Sequence, residues 1–583
     1  MGRLIISNNE KKVSFLEKMN SENGFFESGK YKSNICVTAY KKLNTDNINY
    51  IEVNGDFAAC AGTLIYKGKY DKEALEQIYR DVDFNDIAML RKYLMGSYVL
   101  AVRKENVVKI FVDETGTYAF YYYCDEKDYL LTNTYYHIQK CFEQKINRDG
   151  FIEKVIENGI LNNETPFCGI YRLGGGECFS IDLSNHLFAV EKIEVNSYQY
   201  DIKNMDDAVE KLSALLTKYS MRQKYIPEVP ALFMTGGVDS RLELACYMAV
   251  GIKPYVAVWG NNPFVMNTKK ADADIVKKLA DYIGLEMKYF DVNQDFIGEL
   301  EEGKKNSFDK IGEYAVLYGD NRYWQDIFEN SNMHFFNFGY FGETLKGWDL
   351  INNIKRETID IDEYTNLYIG RSQYMGQADS IQNFEEYYER IKRELMRIAD
   401  SEGMNCAKLS KEDCMTLYYH YRLHADTYRC NFANMYGYSF ILLAQKEIAD
   451  FINQVPYEFK INSRINLRLV KKFAPQLLDL PYYSHCRFYN YDSKRVMLVE
   501  MDKDRFKACV IRTLRRYTLG QKMIAHWRKH GSLEQAKIRR YCTERINNSI
   551  EFGKLQMRFE VNSMSYLPKY IEMLLAVKML EGV

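Results

Sequence analysis

The chain has 583 residues, too many for one compact core, so two or three domains are expected. Hydrophobic residues make up 47% and charged ones 27%, and the formal charge of -1 argues against a whole-chain electrostatic grip on nucleic acid. No apolar run approaches the roughly 18–20 residues needed to span a bilayer, and the polar start Met1-Gly2-Arg3 is unlike a signal peptide.

Residues 1–125 read as short strands separated by polar turns. Leu94 to Val102 and Val107 to Val112 are rich in β-branched and aromatic residues, and the turn Arg103-Lys104-Glu105-Asn106 between them predicts a hairpin. A helix is expected over Lys72 to Arg80. A loop follows from Gly159 through Leu173-Gly174-Gly175-Gly176, and then a strand, Cys178 to Leu183. Residues 1–190 are therefore expected to form an α+β domain with antiparallel sheets, and 191–204 a polar connector.

The second domain, 205–583, opens with a helix over Met205 to Ser220, where Val209, Leu212, Leu215 and Leu216 recur at helical spacing. From 228 to 350 the pattern becomes strand–loop–helix. Pro230 to Met234 is a short apolar strand of the kind buried in a parallel sheet, followed by a helix over Ser240 to Ala249. Tyr255 to Trp259, Ala273 to Ile283 and Leu285 to Val292 continue it as strand, helix and strand. The remainder, 351–583, is expected to be largely helical. Thirteen cysteines lie scattered without a C-x-x-C pair, which fits a reduced cytoplasmic protein rather than a zinc site or disulfide framework.

Between the strand and the helix at 230–249 stand two glycines, an Asp and a Ser. Glycines there let backbone N–H groups turn toward an anion, and the helix N-terminus favours phosphate. A carboxylate such as Asp239 suits a hard cation bridging phosphate oxygens. The segment is neither a Walker A loop nor a dinucleotide fingerprint. It could also be a plain connecting turn.

The run Thr235-Gly236-Gly237-Val238-Asp239-Ser240 resembles the S-G-G-x-D-S loop of the ATP-pyrophosphatase superfamily, with Thr235 keeping the hydroxyl of the first Ser. Other stretches resemble the asparagine synthetase family: Gly62-Thr63-Leu64-Ile65-Tyr66, Leu94-Met95-Gly96-Ser97-Tyr98, Thr165 to Gly176, and Asp272 to Gly284. The resemblance implies an Ntn-hydrolase-like first domain and a synthetase second domain. It also implies ATP and Mg²⁺ as cofactors, with release of AMP and pyrophosphate. By the same resemblance Thr235, Gly236, Gly237, Asp239 and Ser240 cradle pyrophosphate, and the backbone near Met234 and Val258 faces adenine. Asn337 to Glu343 is similar to the family's second metal loop, S-G-x-G-x-D. There Gly339 lines the nucleotide, Glu343 stands for the metal-binding Asp, and Asp239 and Glu343 hold Mg²⁺.

Tyr340 stands where β-lactam synthetases, a related family, carry a catalytic tyrosine. Their tyrosine pairs with a Glu about eight residues after an Arg. Arg429 matches that Arg, but Gly437 and Tyr438 occupy the expected place of the Glu. Arg464, Arg468, Lys471 and Lys472 lie in the region of the family's pyrophosphate-binding lysine, and Arg468 and Lys471 are taken as the candidates. Class II glutaminase domains need an N-terminal cysteine nucleophile. Here the chain reads Met1-Gly2-Arg3 with no Cys before Cys36, and an internal Cys60 supplies no free α-amino group, so an inactive glutaminase-like domain is expected.

Three readings remain open. The first is an ATP-dependent, AMP-forming carbon–nitrogen ligase joining a carboxylate-bearing small molecule or peptide to an amine, as in natural-product or lasso-peptide biosynthesis. The second is a non-catalytic partner that keeps the fold, and the third an ammonia-dependent asparagine synthetase. No nucleic acid or membrane partner is expected, and a homodimer is compatible with the sequence. His420 and His424, four apart on an expected helix, could bind zinc or simply pack. The basic stretch Arg505 to Arg545 could be a solvated face or dock an acidic partner.

Overall fold

The computed structural model describes residues 2–157, 159–260, 268–291, 310, 321–347, 349–352, 354–371, 384–484, 487–489, 491, 495–496, 540 and 544–549. The first part is built on two antiparallel sheets. One has the order β11-β9-β10-β1-β3-β2, formed by β1 (Arg3–Ser7), β2 (Glu27–Lys32), β3 (Cys36–Tyr40), β9 (Tyr121–Cys124), β10 (Tyr129–Thr132) and β11 (Ile170–Arg172). The other has the order β13-β12-β8-β7-β5-β4, with β6 (Lys69–Tyr70) paired to β5. Its strands are β4 (Tyr50–Val53), β5 (Asp56–Tyr66), β7 (Leu94–Lys104), β8 (Val107–Val112), β12 (Glu177–Asp182) and β13 (Leu187–Lys192).

Side-chain alternation explains the layering. Leu4 and Ile6 of β1 face the second sheet and join Phe57, Ala59, Val99 and Ala101. Ile5 points the other way, toward Val13 and Leu16 of α1 (Glu10–Glu22) and Ile138 of α4 (Tyr135–Phe142). The outer face of the second sheet, with Ala58, Leu100 and Phe111, takes Leu75 and Ile78 of α2 (Asp71–Asp81), while α3 (Ile87–Arg91) adds Leu90. The expected hairpin is β7–β8, its turn tightened to Glu105-Asn106, with Glu105 at φ +56°. Helix α5 (Arg148–Glu157) follows α4. The connector begins after Lys192 and is pinned where Tyr198 N–H donates to Asp450 (3.1 Å) and Tyr200 N–H to Gln454 (2.9 Å).

The second part opens with α6 (Met205–Gln223) and a four-stranded parallel sheet of order β16-β15-β14-β17. Its strands are β14 (Pro230–Phe233), β15 (Tyr255–Gly260), β16 (Met287–Asp291) and β17 (Phe335–Asn337). Helices α7 (Val238–Ala249), α8 (Thr268–Ile283) and α9 (Asn321–Asn330) connect or cover them. β14 is buried along its length, which is why it reads as an unbroken apolar run.

Helices dominate the rest: α10 (Asp349–Asn352), α11 (Ile361–Arg371), α12 (Phe384–Ser401), α13 (Lys411–Ala425), α14 (Tyr428–Tyr436), α15 (Lys446–Gln454), α16 (Tyr457–Lys460) and α17 (Arg464–Phe473). A small sheet of β18 (Tyr482–Ser484), β19 (Arg487–Tyr489) and β20 (Arg495–Val496) was not expected in this helical region. No helix among the described residues is long and apolar enough to cross a membrane.

The two parts meet through buried polar side chains. Lys42 donates to the Asn434 carbonyl (3.0 Å) and side chain (3.2 Å) and to the Gly437 carbonyl. Thr63 donates to Asn434 (2.7 Å), Ala119 N–H to Asn431 (3.0 Å), and the Tyr438 hydroxyl to Asp71 (2.5 Å). Tyr438 therefore serves this interface.

Candidate functional site

The chain leaves β14 to one side for β15 and β16, then returns on its other side as β17. The carboxyl ends of β14 and β17 therefore flank a topological switch point, the place where open α/β sheets form a ligand crevice. The 235–240 segment follows β14 and the 338–346 segment follows β17, so both loops singled out in the sequence converge there.

Helix α7 starts at Val238, two residues earlier than expected, so Asp239 and Ser240 lie in its first turn. Gly237 is the N-cap and supplies no capping oxygen. The turn before it is tied to itself. Thr235 N–H donates to the Ser240 hydroxyl (3.1 Å), that hydroxyl to the Thr235 carbonyl (3.2 Å), and Gly237 N–H to the Thr235 hydroxyl (3.3 Å). Gly236 N–H donates to Asp272 (2.7 Å). Met234 and Val258 are buried in the core, and Met234 N–H donates to the Ala257 carbonyl (2.9 Å).

The β17 loop comes very close to α7. A Cβ on Gly339, which has φ +58°, would lie 2.9 Å from the Ser240 Cα, and one on Gly342 would lie 2.3 Å from the Asp239 Cβ. Between them Phe341 adopts φ +70°, a left-handed conformation rare for an aromatic residue. Phe341 is thereby buried against the Tyr419 ring (centroids 5.5 Å apart), while Tyr340 stacks on Phe338 (5.6 Å).

A chain of alternating charges runs from the loop into the helical part. Asp239 is ion-paired with Lys346 through one oxygen and accepts from Asn466 through the other (3.2 Å). Arg422 of α13 pairs with Glu343 (3.3 Å) and with Asp426. Arg429 of α14 donates to the Tyr340 hydroxyl (2.5 Å) and lies 5.0 Å from the Trp324 ring centroid. Burial pushes the Asp239 carboxyl up, against the pull of the Lys346 charge. Burial also works on Glu343, but the Arg422 and Lys346 charges outweigh it and hold that carboxyl low. Burial lifts Asp426 to about 6 despite Arg422. It also raises the Tyr340 hydroxyl, which Arg429 opposes, so the phenol keeps its proton at neutral pH.

Two expected site residues are elsewhere. Arg468 is paired with Asp206 of α6, and Lys471 lies over the Tyr491 ring (4.8 Å). The α17 residue that reaches Asp239 is Asn466. Two residues on, Arg468 lies about 200° around the helix, on the opposite side. The cation at the loop is Lys346, which the sequence reading missed, as it missed Arg422, Asp426 and Asn466. Asp426, three residues before Arg429, pairs with Arg422, and its charge adds to the effect of burial on Tyr340.

A divalent ion shared by Asp239 and Glu343 does not fit the side chains as they stand. Both Asp239 oxygens have protein partners, Glu343 is paired with Arg422, and no group of three or more His, Cys, Asp or Glu stands together among the described residues. His420 and His424 diverge: His420 meets Glu402 (2.9 Å) and His424 meets Arg172 (3.4 Å). Met1 and most of the 505–545 stretch lie outside the described residues.

No family model matches the chain, and no curated protein matches it. Among solved structures it is similar to the glutamine phosphoribosylpyrophosphate amidotransferase of B. subtilis complexed with ADP and GMP. That match has 10% identity and a TM-score of 0.23, over 52% of this chain and 70% of that one. A structure described as the allosteric regulatory enzyme of purine biosynthesis matches at 9% identity and a TM-score of 0.23, with the same coverages. Likenesses this loose carry no argument about activity.

Proposed function

We propose that the chain is an ATP-dependent amide-bond-forming ligase that adenylates a substrate carboxylate for attack by an amine, without glutamine hydrolysis. The observation that carries this reading is the meeting, at the switch point, of the α7 N-terminus with a loop bearing Lys346 and Glu343. A helix start with no side-chain cap is a ready anion site, and nearby cations stabilise charge that grows on a leaving group.

In this reading the carboxylate oxygen attacks the α-phosphorus, the bond to the bridging oxygen breaks, and pyrophosphate leaves toward the first turn of α7 and Lys346. The amine then displaces AMP from the acyl carbon. The crevice between α7 and the 338–346 loop positions the reactants, so that binding energy is used for orientation. Tyr340, held by Arg429, borders the acyl side and orients the incoming amine.

The test is ATP–pyrophosphate exchange with a panel of amino acids and dicarboxylates. Exchange that needs one of the acids is expected, falling at least about a hundredfold in Asp239→Ala, the scale for loss of one preorganised site group. Wild-type exchange in that variant refutes the mechanism. A second reading, a non-catalytic partner, draws on the charge pairing that already satisfies Asp239 and Glu343. It predicts no heat of binding when ATP is titrated into the protein.

A further inference from the structure

Lys346 closes the short 3₁₀ turn Gly342–Leu345, and its side chain is 34% exposed, whereas that of Asp239 beneath it is 15% exposed. The ammonium therefore lies between a nearly buried carboxylate and the crevice. Its partner there is the Asp239 carboxylate. Lys346 pairs directly with Asp239, while Glu343, three residues before it, pairs with Arg422. Without Lys346, the cation paired with Glu343 among the described residues would be Arg422, which also pairs with Asp426. An anion entering the crevice would then meet uncompensated negative charge. Gly342 is what permits the arrangement, because any side chain there would strike Asp239.

We propose that Lys346 is a built-in cation of the loop: it fills at Asp239 the place a divalent ion would take and presents its ammonium to a pyrophosphate or polyphosphate anion. The proposal deepens the adenylation reading and rests on it for the identity of the anion. It does not rest on it for the place of the lysine.

Two measurements on the full chain test it. The first is titration of Mn²⁺ without nucleotide, following free Mn²⁺ by electron paramagnetic resonance. Wild type is expected to bind weakly at this site, and Lys346→Met at least about tenfold more tightly, because an unpaired carboxylate has been released. The gain should vanish when Asp239→Asn is added. The second is calorimetry of inorganic pyrophosphate in EDTA. Wild type is expected to bind, Lys346→Met at least about tenfold more weakly, the size of one charge-assisted contact, and Lys346→Arg to retain binding.

Equal Mn²⁺ affinity in wild type and Lys346→Met overturns the proposal, as does unchanged pyrophosphate affinity in a wild type that binds it. Should Lys346→Met fail to fold by circular dichroism, loss of pyrophosphate binding in a folded Lys346→Arg overturns it instead. A wild type that binds no pyrophosphate refutes the adenylation reading and the anion half of the proposal. The Mn²⁺ comparison then still decides whether Lys346 stands in a cation's place.

Discussion

Glu243 lies on α7 one turn after Asp239 and is 8% exposed. Burial pushes its carboxyl up to about 7, and the Gly339 N–H that donates to it only partly opposes this. Against an ordinary value of 4.5, that gap corresponds to on the order of 3 kcal/mol at about 1.36 kcal/mol per unit. The folded state holds the proton more tightly than the unfolded one, so the contribution of Glu243 is fully present below 4.5. It is lost as pH rises toward and through 7. Glu243→Gln keeps the acceptor for Gly339 and removes the titration. The variant is expected to match wild type near pH 5 and to exceed it at pH 8.5 by on the order of 3 kcal/mol. Urea unfolding followed by tryptophan fluorescence reads this locally, because Trp259 and Trp324 pack on each other and on Phe233 in the parallel sheet. Other buried acids, such as Glu153 at about 8, are common to both proteins and cancel in the difference. A stability gap independent of pH between 5 and 8.5 would refute the reasoning, since Glu243 would then be ionised throughout.

Arg241, 1% exposed on α7, donates to the carbonyls of Leu477 (2.8 Å), Leu480 (2.8 Å) and Pro481 (3.0 Å). Arg241→Met leaves these carbonyls without their donor, should cost about 1–3 kcal/mol, and should open the chain after residue 476 to limited proteolysis. Gly342→Ala should destabilise by about 1–3 kcal/mol through overpacking against Asp239, measured by thermal unfolding, and should lower pyrophosphate exchange with it.

Three strands of the parallel sheet, β14, β15 and β16, were legible because each has a local signature, whereas β17 was not foreseen. Pro230 to Phe233 is a short apolar run, and the glycines after it mark a turn into a helix. The pairing of the 235–240 and 337–343 loops came from the family resemblance, and their meeting reflects β17 lying beside β14. Lys346 was not legible, although it lies only three residues past Glu343, because its partner Asp239 is 107 residues away. Arg468 was favoured for its charge and its place in the region of the family's pyrophosphate-binding lysine. A better signal was present in α17: Asn466 is a polar residue on the stripe formed by Ile465, Leu469 and Val470, all buried. A polar side chain on an apolar stripe needs a buried partner, and here that partner is Asp239. Asp426 was missed because it ends the helix Lys411–Ala425, and its pairing with Arg422 one turn earlier has no sequence motif to mark it. The β18–β20 sheet had too few residues per strand to stand out from the surrounding helical pattern.

The polar seam between the two parts also sets an order of events during synthesis. Lys42 leaves the ribosome long before Asn434, its partner 392 residues later. At about 5–20 residues per second, that interval is roughly 20–80 s. Throughout it, Lys42, Asp71 and Thr63 await the partners that the 428–445 segment carries. Residues 428–445 then supply Asn434 to Lys42 and Thr63, Asn431 to Ala119, and Tyr438 to Asp71. The early sheets thus meet their partners in the second part only after most of the chain has been made.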